Sequence, residues 1–367
     1  MRRARLGRWS LGTSGLALLL GLLSSPAAGS SLTSGSSPGP FVDQPVSFQA
    51  DGMTVYGTYR HPTNAGGSFP AVLLIAGSGP TDRNGNSPEI TGAVDTLEIL
   101  ADWLSADGVA SLRYDKLGAG QTGLGPFALD PGSIGIGVFE DESVAGLGFL
   151  SHQPGVDDSR LGVLGHSEGA LFALLLATGN AGTAPHVHAL MLLEPLSRRY
   201  LSLITEQVDA EITAQVRGGA LNSATAKRVR RTLATAVRSL RSHGTAPVNL
   251  PYGLGNVFSP ATAKFLWQAD RYDPAQLGSE LGRGFPVLVS CSSADLQVSC
   301  GDVDHLVSGL DTGHAAVDLV HLHDVDHVLK VDPSGSATNY GKNLPFSPQL
   351  QAPLKRFVAG NLVGAAK

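Results

Sequence analysis

The chain is poor in the residues that build metal centres and disulfide networks. Only two cysteines occur among its 367 residues, Cys291 and Cys300. Their spacing lacks the further cysteine or histidine ligands that a zinc site requires, and no other cluster has metal-ligand spacing. In an oxidising compartment the pair could close a disulfide around the intervening loop, or both could remain as buried thiols. We therefore predict no metal site.

An excess of positive charge is also absent. The formal net charge is -5 and the pI is about 6.1, whereas nucleic-acid-binding domains usually carry a basic face and a high pI. This balance favours small neutral or weakly charged substrates and argues against a nucleic-acid partner. Six lysines and arginines do occur within residues 227–241. They are typical of a solvated helix face, although such a face could also attract an anionic substrate or membrane surface.

An apolar run near the amino terminus, residues 16–23, is too short to span a bilayer comfortably. It follows four arginines within the first eight residues and precedes the small residues at 26–29. This order is that of a secretory signal peptide, which we assign to residues 1–29. We expect an extracellular, periplasmic or cell-envelope protein without stable membrane insertion after cleavage. The paired arginines leave Sec and Tat export open, and no cysteine is placed for a lipid anchor at the cleavage site.

Strands and helices alternate along most of the remaining chain. Residues 30–44 have the composition of a flexible linker, and Asp51-Gly52 between two β-prone runs indicates a hairpin. Alternating elements indicate βαβ units and therefore a mostly parallel sheet flanked by helices, an α/β fold. The predicted strands are 46–48, 53–59, 71–75, 109–114, 161–164, 189–193, 285–289 and 317–322, and the predicted helices are 96–106, 138–150, 170–177, 303–309 and 350–358.

The alternation is interrupted by a helical insertion at residues 196–280. Two amphipathic patterns between 198 and 243 place apolar residues at steps of three or four. We predict a helical cap or lid over the carboxyl ends of the strands, where open α/β sheets bind ligands, and expect it to supply the pocket walls. The core then comprises residues 45–195 and 281–367.

The strongest chemical signal is a serine between two glycines. Residues 165–169 read Gly-His-Ser-Glu-Gly and lie between the predicted strand 161–164 and the predicted helix 170–177. A strand, a sharp turn and a helix in this order form a nucleophile elbow, which exposes the serine hydroxyl above the sheet. Ser167 is the predicted nucleophile. A serine that only caps the helix is the alternative.

A serine hydroxyl becomes a useful nucleophile when an imidazole accepts its proton and a carboxylate orients that imidazole. On this architecture the acid and the histidine follow the serine in that order, on loops after later strands. Asp295 and His327 occupy those places. Asp295 could otherwise be a plain loop carboxylate or a helix N-cap. His321 and His323 are the competing bases, but they lie within or at the end of the predicted strand.

Acyl transfer also requires donors for the developing oxyanion. The backbone N–H of Glu168, directly after the nucleophile, is one predicted donor. The other is expected from the loop after strand 71–75, where we choose Ser78. A phosphate cradle is the alternative for this Gly-Ser-Gly segment, but it lacks the lysine and the spacing of a P-loop. The mechanism requires no cofactor.

Two longer motifs carry a family resemblance. Residues 77–86 read Gly-Ser-Gly-Pro-Thr-Asp-Arg-Asn-Gly-Asn and residues 113–122 read Arg-Tyr-Asp-Lys-Leu-Gly-Ala-Gly-Gln-Thr. With the Gly-His-Ser-Glu-Gly elbow, they resemble a group of bacterial secreted esterases and acyl hydrolases with a GSGPxDRxGN loop. That group lies within the α/β-hydrolase superfamily, and the wider resemblance covers residues 45–361. Leu117 and Thr122 depart from the arginine and serine of the group's second motif.

The resemblance implies a serine hydrolase of carboxylic esters with small to medium substrates. Serine peptidases and thioesterases are neighbours of the group, and a secreted binding protein that keeps the fold without catalysis is a further alternative. Asp82 and Arg83 are expected to pair and pin the loop rather than to touch substrate. Neither the substrate-binding residues nor the oligomeric state follows from the sequence.

Overall fold

The computed structural model describes residues 41–63 and 67–364. The predicted signal peptide and most of the predicted linker therefore lie outside the described residues. Among the described residues, no helix has both the length and the apolar composition needed to cross a membrane.

One sheet of eight strands forms the centre of the molecule. The two antiparallel pairs, β1 with β2 and β2 with β4, lie at one edge, and the other neighbours are parallel, in the order β1-β2-β4-β3-β5-β6-β7-β8. The predicted, mostly parallel sheet is confirmed. The strands are β1 (Phe41–Ala50), β2 (Met53–Pro62), β3 (Phe69–Ile75), β4 (Ala110–Tyr114), β5 (Val156–His166), β6 (Ala189–Leu193), β7 (Pro286–Ser292) and β8 (Ala316–Leu322).

The first strand begins earlier than the sequence predicts. β1 starts at Phe41, inside the segment assigned to the linker, and each of its residues pairs with one of β2, from Phe41 with Pro62 to Ala50 with Met53. A proline is tolerated here because β1 is an edge strand, so Pro45 need not donate to a second neighbour. The folded core therefore includes residues 41–44.

Helices cover both faces of the sheet. They are α1 (Thr96–Ala106), α2 (Ile136–Ser151), α3 (Gly169–Ala177), α4 (Tyr200–Arg217), α5 (Ser223–His243), α6 (Leu254–Val257), α7 (Pro260–Ala269), α8 (Pro274–Glu280), α9 (Cys300–Thr312) and α10 (Pro348–Val358). Val72 and Leu74 of β3 pack in the core beneath α1 and α10, whereas Leu73 and Ile75 face the core that includes α2, α3 and α9. Because successive strand side chains point to opposite faces, a continuous apolar run such as β3 fits a sheet covered on both sides.

Five helices, α4 to α8, occupy residues 200–280 between β6 and β7. Apolar residues of α4 and α5 join the same core as α3, so this insertion shares its apolar core with the sheet domain. Its basic helix α5 pairs two of its arginines with acids, Arg230 with Asp209 and Arg241 with Asp270.

Candidate active site

Ser167 lies in a strained turn between β5 and α3. Its φ is 55°, in the left-handed region that non-glycine residues seldom adopt. The turn is possible because glycines flank it: a Cβ on Gly165 would come within 2.3 Å of the Gly169 carbonyl oxygen, and one on Gly169 within 2.2 Å of that of Ile75. The local sequence thus forces the serine side chain out of the turn.

The structure brings together the three side chains that the sequence analysis selected. The Nε2 atom of His327 lies 3.0 Å from Ser167 Oγ, and its Nδ1 lies 2.7 Å from Asp295 Oδ2. When Nδ1 carries the proton and donates a hydrogen bond to the carboxylate, Nε2 is left to accept a hydrogen bond from the serine hydroxyl. The competing bases lie elsewhere: His321 has its Nδ1 3.3 Å from Cys291 Sγ, and His323 is exposed.

Asp295 is held by its own loop. Its Oδ1 accepts the backbone N–H groups of Gln297 at 2.7 Å and Val298 at 3.1 Å, which leaves Oδ2 for the imidazole. Cys291 and Cys300 form a disulfide across this loop, with a sequence separation of 9. The covalent link ties the end of β7 to the start of α9 and encloses Asp295.

Removing this disulfide is expected to reduce both stability and activity. For a closed loop of this length, the double variant Cys291→Ala/Cys300→Ala should lose about 2 to 3 kcal/mol of unfolding free energy, chiefly because the unfolded chain gains entropy. Loosening the Asp295 loop should also lower kcat more than it raises KM. Urea denaturation and initial rates on the same preparations measure both effects. Unchanged kcat in a variant that has lost stability would show that the loop keeps its shape without the bond.

His166 supports the histidine loop, a role that the sequence analysis did not assign. Its Nε2 lies 2.8 Å from the backbone oxygen of His327 and donates a hydrogen bond to it. Burial lowers the pKa of His166 to about 4, so the ring is neutral near pH 7 and has one N–H to donate. The only sequence signal was its position directly before the nucleophile.

A buried ion pair lies behind the elbow and was also missed. The Lys116 Nζ donates to Glu168 Oε1 at 2.6 Å and to the Gly77 carbonyl oxygen at 2.7 Å. The hydroxyl of Tyr200, the first residue of α4, donates a short hydrogen bond to the other carboxylate oxygen of Glu168. Burial raises the pKa of nearby Glu142 to about 8, so Glu142 is largely protonated near pH 7, and the ion pair of Lys116 is with Glu168.

The loop at residues 77–86 is pinned by a pair different from the expected one. Arg83 donates three hydrogen bonds to Asp115: its backbone N–H to Oδ1 at 2.8 Å, Nε to Oδ1 at 3.0 Å and Nη2 to Oδ2 at 2.6 Å. Asp82 instead accepts the backbone N–H groups of Asn84 and Asn86, both at 2.9 Å. Arg83 thus joins the two sequence motifs to each other, while Asp82 shapes its own turn. The expected structural role holds, with other partners.

The cleft above Ser167 is formed by the core of the protein. Its lining residues are Ala76, Gly77, Ser78, Thr81, Gly85, Ser87, Ile90, Val94, Thr96, Leu97, His166, Ser167, Gln297, His327 and Val328. None of them comes from residues 196–280, so the expectation that the insertion supplies the walls of this cleft is wrong. One wall is the long connection between β3 and α1, which is fixed by the Arg83–Asp115 pair. Both predicted oxyanion residues border the nucleophile: Ser78 lines the cleft, and Glu168 follows Ser167.

Clustered potential metal ligands are few in residues 41–63 and 67–364. The one group of three that lies within reach of a single ion is Cys291, Cys300 and His321, and both sulfurs are committed to the disulfide.

The sheet order, the elbow after β5 and the acid and histidine after β7 and β8 define the α/β-hydrolase fold. Solved structures with this chain's fold include the esterase Pf2001 of Pyrococcus furiosus. The superposition has a TM-score of 0.51 at 14% identity and covers 89% of this chain and 97% of the Pf2001 chain. Est1E of Butyrivibrio proteoclasticus, solved with ferulic acid, covers 87% and 99% with TM-score 0.52 and 16% identity. An acylaminoacyl peptidase of Pyrococcus horikoshii covers 90% and 43% with TM-score 0.54 and 13% identity.

The sequence itself is similar to the esterase EstD of Thermotoga maritima. The two are 26% identical over 302 residues, which make up 81% of this chain and 64% of EstD. The chain therefore spans less than two thirds of the length of that relative. It matches no protein-family model.

Proposed function

We propose that the protein is a serine hydrolase that cleaves carboxylic esters of small to medium size through an acyl-enzyme. The observation that carries this proposal is the chain of two hydrogen bonds that joins Ser167, His327 and Asp295. Similarity to EstD, an esterase, supports an ester as the substrate class.

In the proposed reaction Ser167 Oγ attacks the ester carbonyl carbon while His327 Nε2 takes its proton. The tetrahedral intermediate collapses as the same imidazole gives that proton to the leaving alcohol, which leaves an acyl-serine. Water then attacks the acyl-serine, again with His327 as base, and releases the acid. Asp295 accepts the hydrogen bond from His327 Nδ1 and stabilises the imidazolium that forms in each half.

The oxyanion is proposed to bind the backbone N–H groups of Ser78 and Glu168. In a trans peptide the C=O and N–H groups lie in one plane and point in opposite directions. Because the Gly77 carbonyl is bound by Lys116, the Ser78 N–H of the same peptide points away from Lys116. The loop also approaches the nucleophile closely: a Cβ on Gly77 would lie 3.2 Å from Ser167 Cβ.

The cleft lining supports an uncharged acyl or alcohol group. Ile90, Val94, Leu97 and Val328 supply apolar surface, and the remaining lining residues, His166 and His327 apart, have no ionisable side chain. Burying a substrate charge against such a surface would cost free energy without a compensating partner. Neutral esters therefore suit the cleft better than charged ones.

We also propose that the protein is exported by its amino-terminal segment. The disulfide supports this proposal, since such bonds persist in oxidising compartments and are rare in the cytosol. Secretion of the full-length chain with loss of residues 1–29, read by amino-terminal sequencing, is the expected result.

A fluorophosphonate probe tests the proposed function directly. We expect it to label Ser167, identified by mass spectrometry of the modified peptide, and to leave a Ser167→Ala variant unlabelled. A panel of p-nitrophenyl esters of graded acyl length, with thioester and aminoacyl-anilide analogues, should then show turnover of the esters first. Labelling with preferred cleavage of anilides would assign a peptidase instead, and no labelling would leave a binding protein on a hydrolase fold.

A further inference from the structure

A second carboxyl group is buried beside Asp295. Glu194 directly follows β6, is 0% exposed, and its side chain neighbours that of Asp295, within reach of a hydrogen bond once one of the two carboxyl groups carries a proton. A buried carboxyl group is costly unless its oxygens are hydrogen-bonded, and nothing in the reaction proposed above uses this one.

The backbone around Glu194 also holds the nucleophile. The Leu193 carbonyl oxygen accepts the Ser167 N–H at 3.0 Å, and the Leu196 N–H donates to the Ser167 carbonyl oxygen at 2.9 Å. Between them Glu194 has a φ of 46°, a second strained left-handed residue at the end of a strand. Residues 193–196 thus bind both backbone groups of Ser167 and place the Glu194 carboxyl group beside Asp295.

Hydrogen-bond donors are distributed unequally over the carboxyl groups near His327. Asp295 accepts three bonds, from two backbone N–H groups and from the imidazole. The buried Asp326 accepts two backbone N–H groups on Oδ1, at 3.1 and 2.8 Å, while its Oδ2 has no donor among the described residues. Glu194 accepts one, on Oε1 from the Ser290 hydroxyl at 3.3 Å, and among the described residues nothing donates to its Oε2.

This distribution indicates which carboxyl group carries a proton. Three carboxylates that share a site of low dielectric constant cannot all be ionised, and the one with the fewest donors is the least stable as an anion. That group is Glu194, and a proton on its Oε2 would let this atom donate a hydrogen bond to the Asp295 carboxylate. Burial, followed by the charge of Asp295, raises the pKa of Glu194 well above its ordinary value.

We propose that Glu194 is a protonated positioning residue that donates a hydrogen bond to Asp295 and so holds the Asp295 carboxylate in line with His327. This inference rests on the proposed function, because it gives Glu194 its role through the acid of that mechanism. The titratable groups that face Glu194 are Asp295 and Asp326, from the loops after β7 and β8, beside the Ser290 hydroxyl of β7.

A protonated and an ionised Glu194 predict opposite shifts of the pH–rate profile when the residue is replaced. A donated hydrogen bond draws negative charge away from Asp295, so the carboxylate stabilises the imidazolium form of His327 less. Without this donor the imidazolium is held more strongly, and the acid limb of the pH–rate profile moves to higher pH. If Glu194 were instead an anion, its removal would delete a negative charge, and the limb would move to lower pH.

Two variants of similar volume test the inference. Glu194→Gln keeps an N–H donor, so kcat should stay within about threefold of wild type and the acid limb should not move. Glu194→Leu has no donor, so kcat should fall about tenfold with little change in KM, and the limb should rise by about half a pH unit. Rates are measured from pH 4.5 to 9 on a p-nitrophenyl ester, with circular dichroism and thermal melts to check folding.

A fall of the acid limb in Glu194→Gln would show an ionised Glu194 and overturn the proposal. Unchanged profiles in both variants, with loss of thermal stability alone, would assign Glu194 to packing and overturn it as well. If Glu194→Leu does not fold, the Gln variant still separates the neutral from the ionised residue. If the wild type cleaves no ester, the proposed function fails on its own, and NMR titration of the histidine ring nitrogens tests Glu194 in the same proteins.

Discussion

Replacing Ser167 by alanine is expected to lower kcat for p-nitrophenyl esters by about four to six orders of magnitude, because the other members of a triad add little once the nucleophile is lost. The variant should fold normally. Alanine fits the left-handed turn no worse than serine, and the flanking glycines that make the turn possible are untouched. Initial rates at saturating ester concentration and a thermal melt measure the two quantities.

Ser242→Ala is the matched control, since Ser242 lies on the exposed side of α5 far along the chain from the elbow. It should keep wild-type kcat. A second variant, His327→Gln, should lose activity to a comparable degree and also react slowly with the fluorophosphonate probe. Residual activity above a hundredth of wild type in Ser167→Ala would assign the turnover to another group.

The three side chains of the candidate site were predictable because local patterns mark their positions. The Gly-His-Ser-Glu-Gly turn depends on close contacts between residues adjacent in sequence, so its signature is continuous in the chain. Asp295 and His327 lie on the loops that end β7 and β8. Parallel strands bring such loops to one edge of the sheet, so the order of the strands was sufficient to place them.

Supporting residues were missed because tertiary packing alone pairs them. Lys116 and Glu168 are 52 positions apart. Glu194 follows β6 and neighbours Asp295, which follows the adjacent strand β7. The residues around a lysine or glutamate carry no local signal for a partner that is distant along the chain. His166 was visible as a neighbour of the nucleophile, but the backbone oxygen that it binds belongs to a loop 161 residues away.

A lack of local sequence signals also explains two errors, one about the predicted linker and one about the cleft wall. A linker-like composition up to residue 44 hid the start of β1, since pairing with β2 satisfies the backbone whatever the side chains are. The cleft wall was assigned to the helical insertion because open α/β sheets bind ligands at the carboxyl ends of their strands, where the insertion was expected to lie. The connection between β3 and α1 has no regular periodicity that would mark it as a wall. That connection is ordered by side-chain pairs such as Arg83 with Asp115, and these pairs depend on the fold being formed first.

Lys116→Met is expected to produce the largest loss of stability. Both members of the Lys116–Glu168 pair are buried, with side-chain exposures of 2% and 4%, and removing the lysine leaves a carboxylate uncompensated in the core. Such a change should lower the free energy of unfolding by about 3 to 5 kcal/mol, whereas the exposed control Lys227→Met should change it by less than about 0.5 kcal/mol. Urea denaturation at pH 7 measures both.

The double variant Lys116→Met/Glu168→Gln distinguishes the loss of the ion pair from the cost of leaving the Glu168 carboxylate buried without a partner. It removes the uncompensated carboxylate while an amide still accepts from Tyr200, so it should recover a large part of the lost stability. Activity should not recover with it, because Lys116 also binds the Gly77 carbonyl and thereby orients the proposed Ser78 donor. Stability and kcat should therefore respond differently to the second substitution. Recovery of both together would mean that Lys116 acts on the oxyanion site only through Glu168.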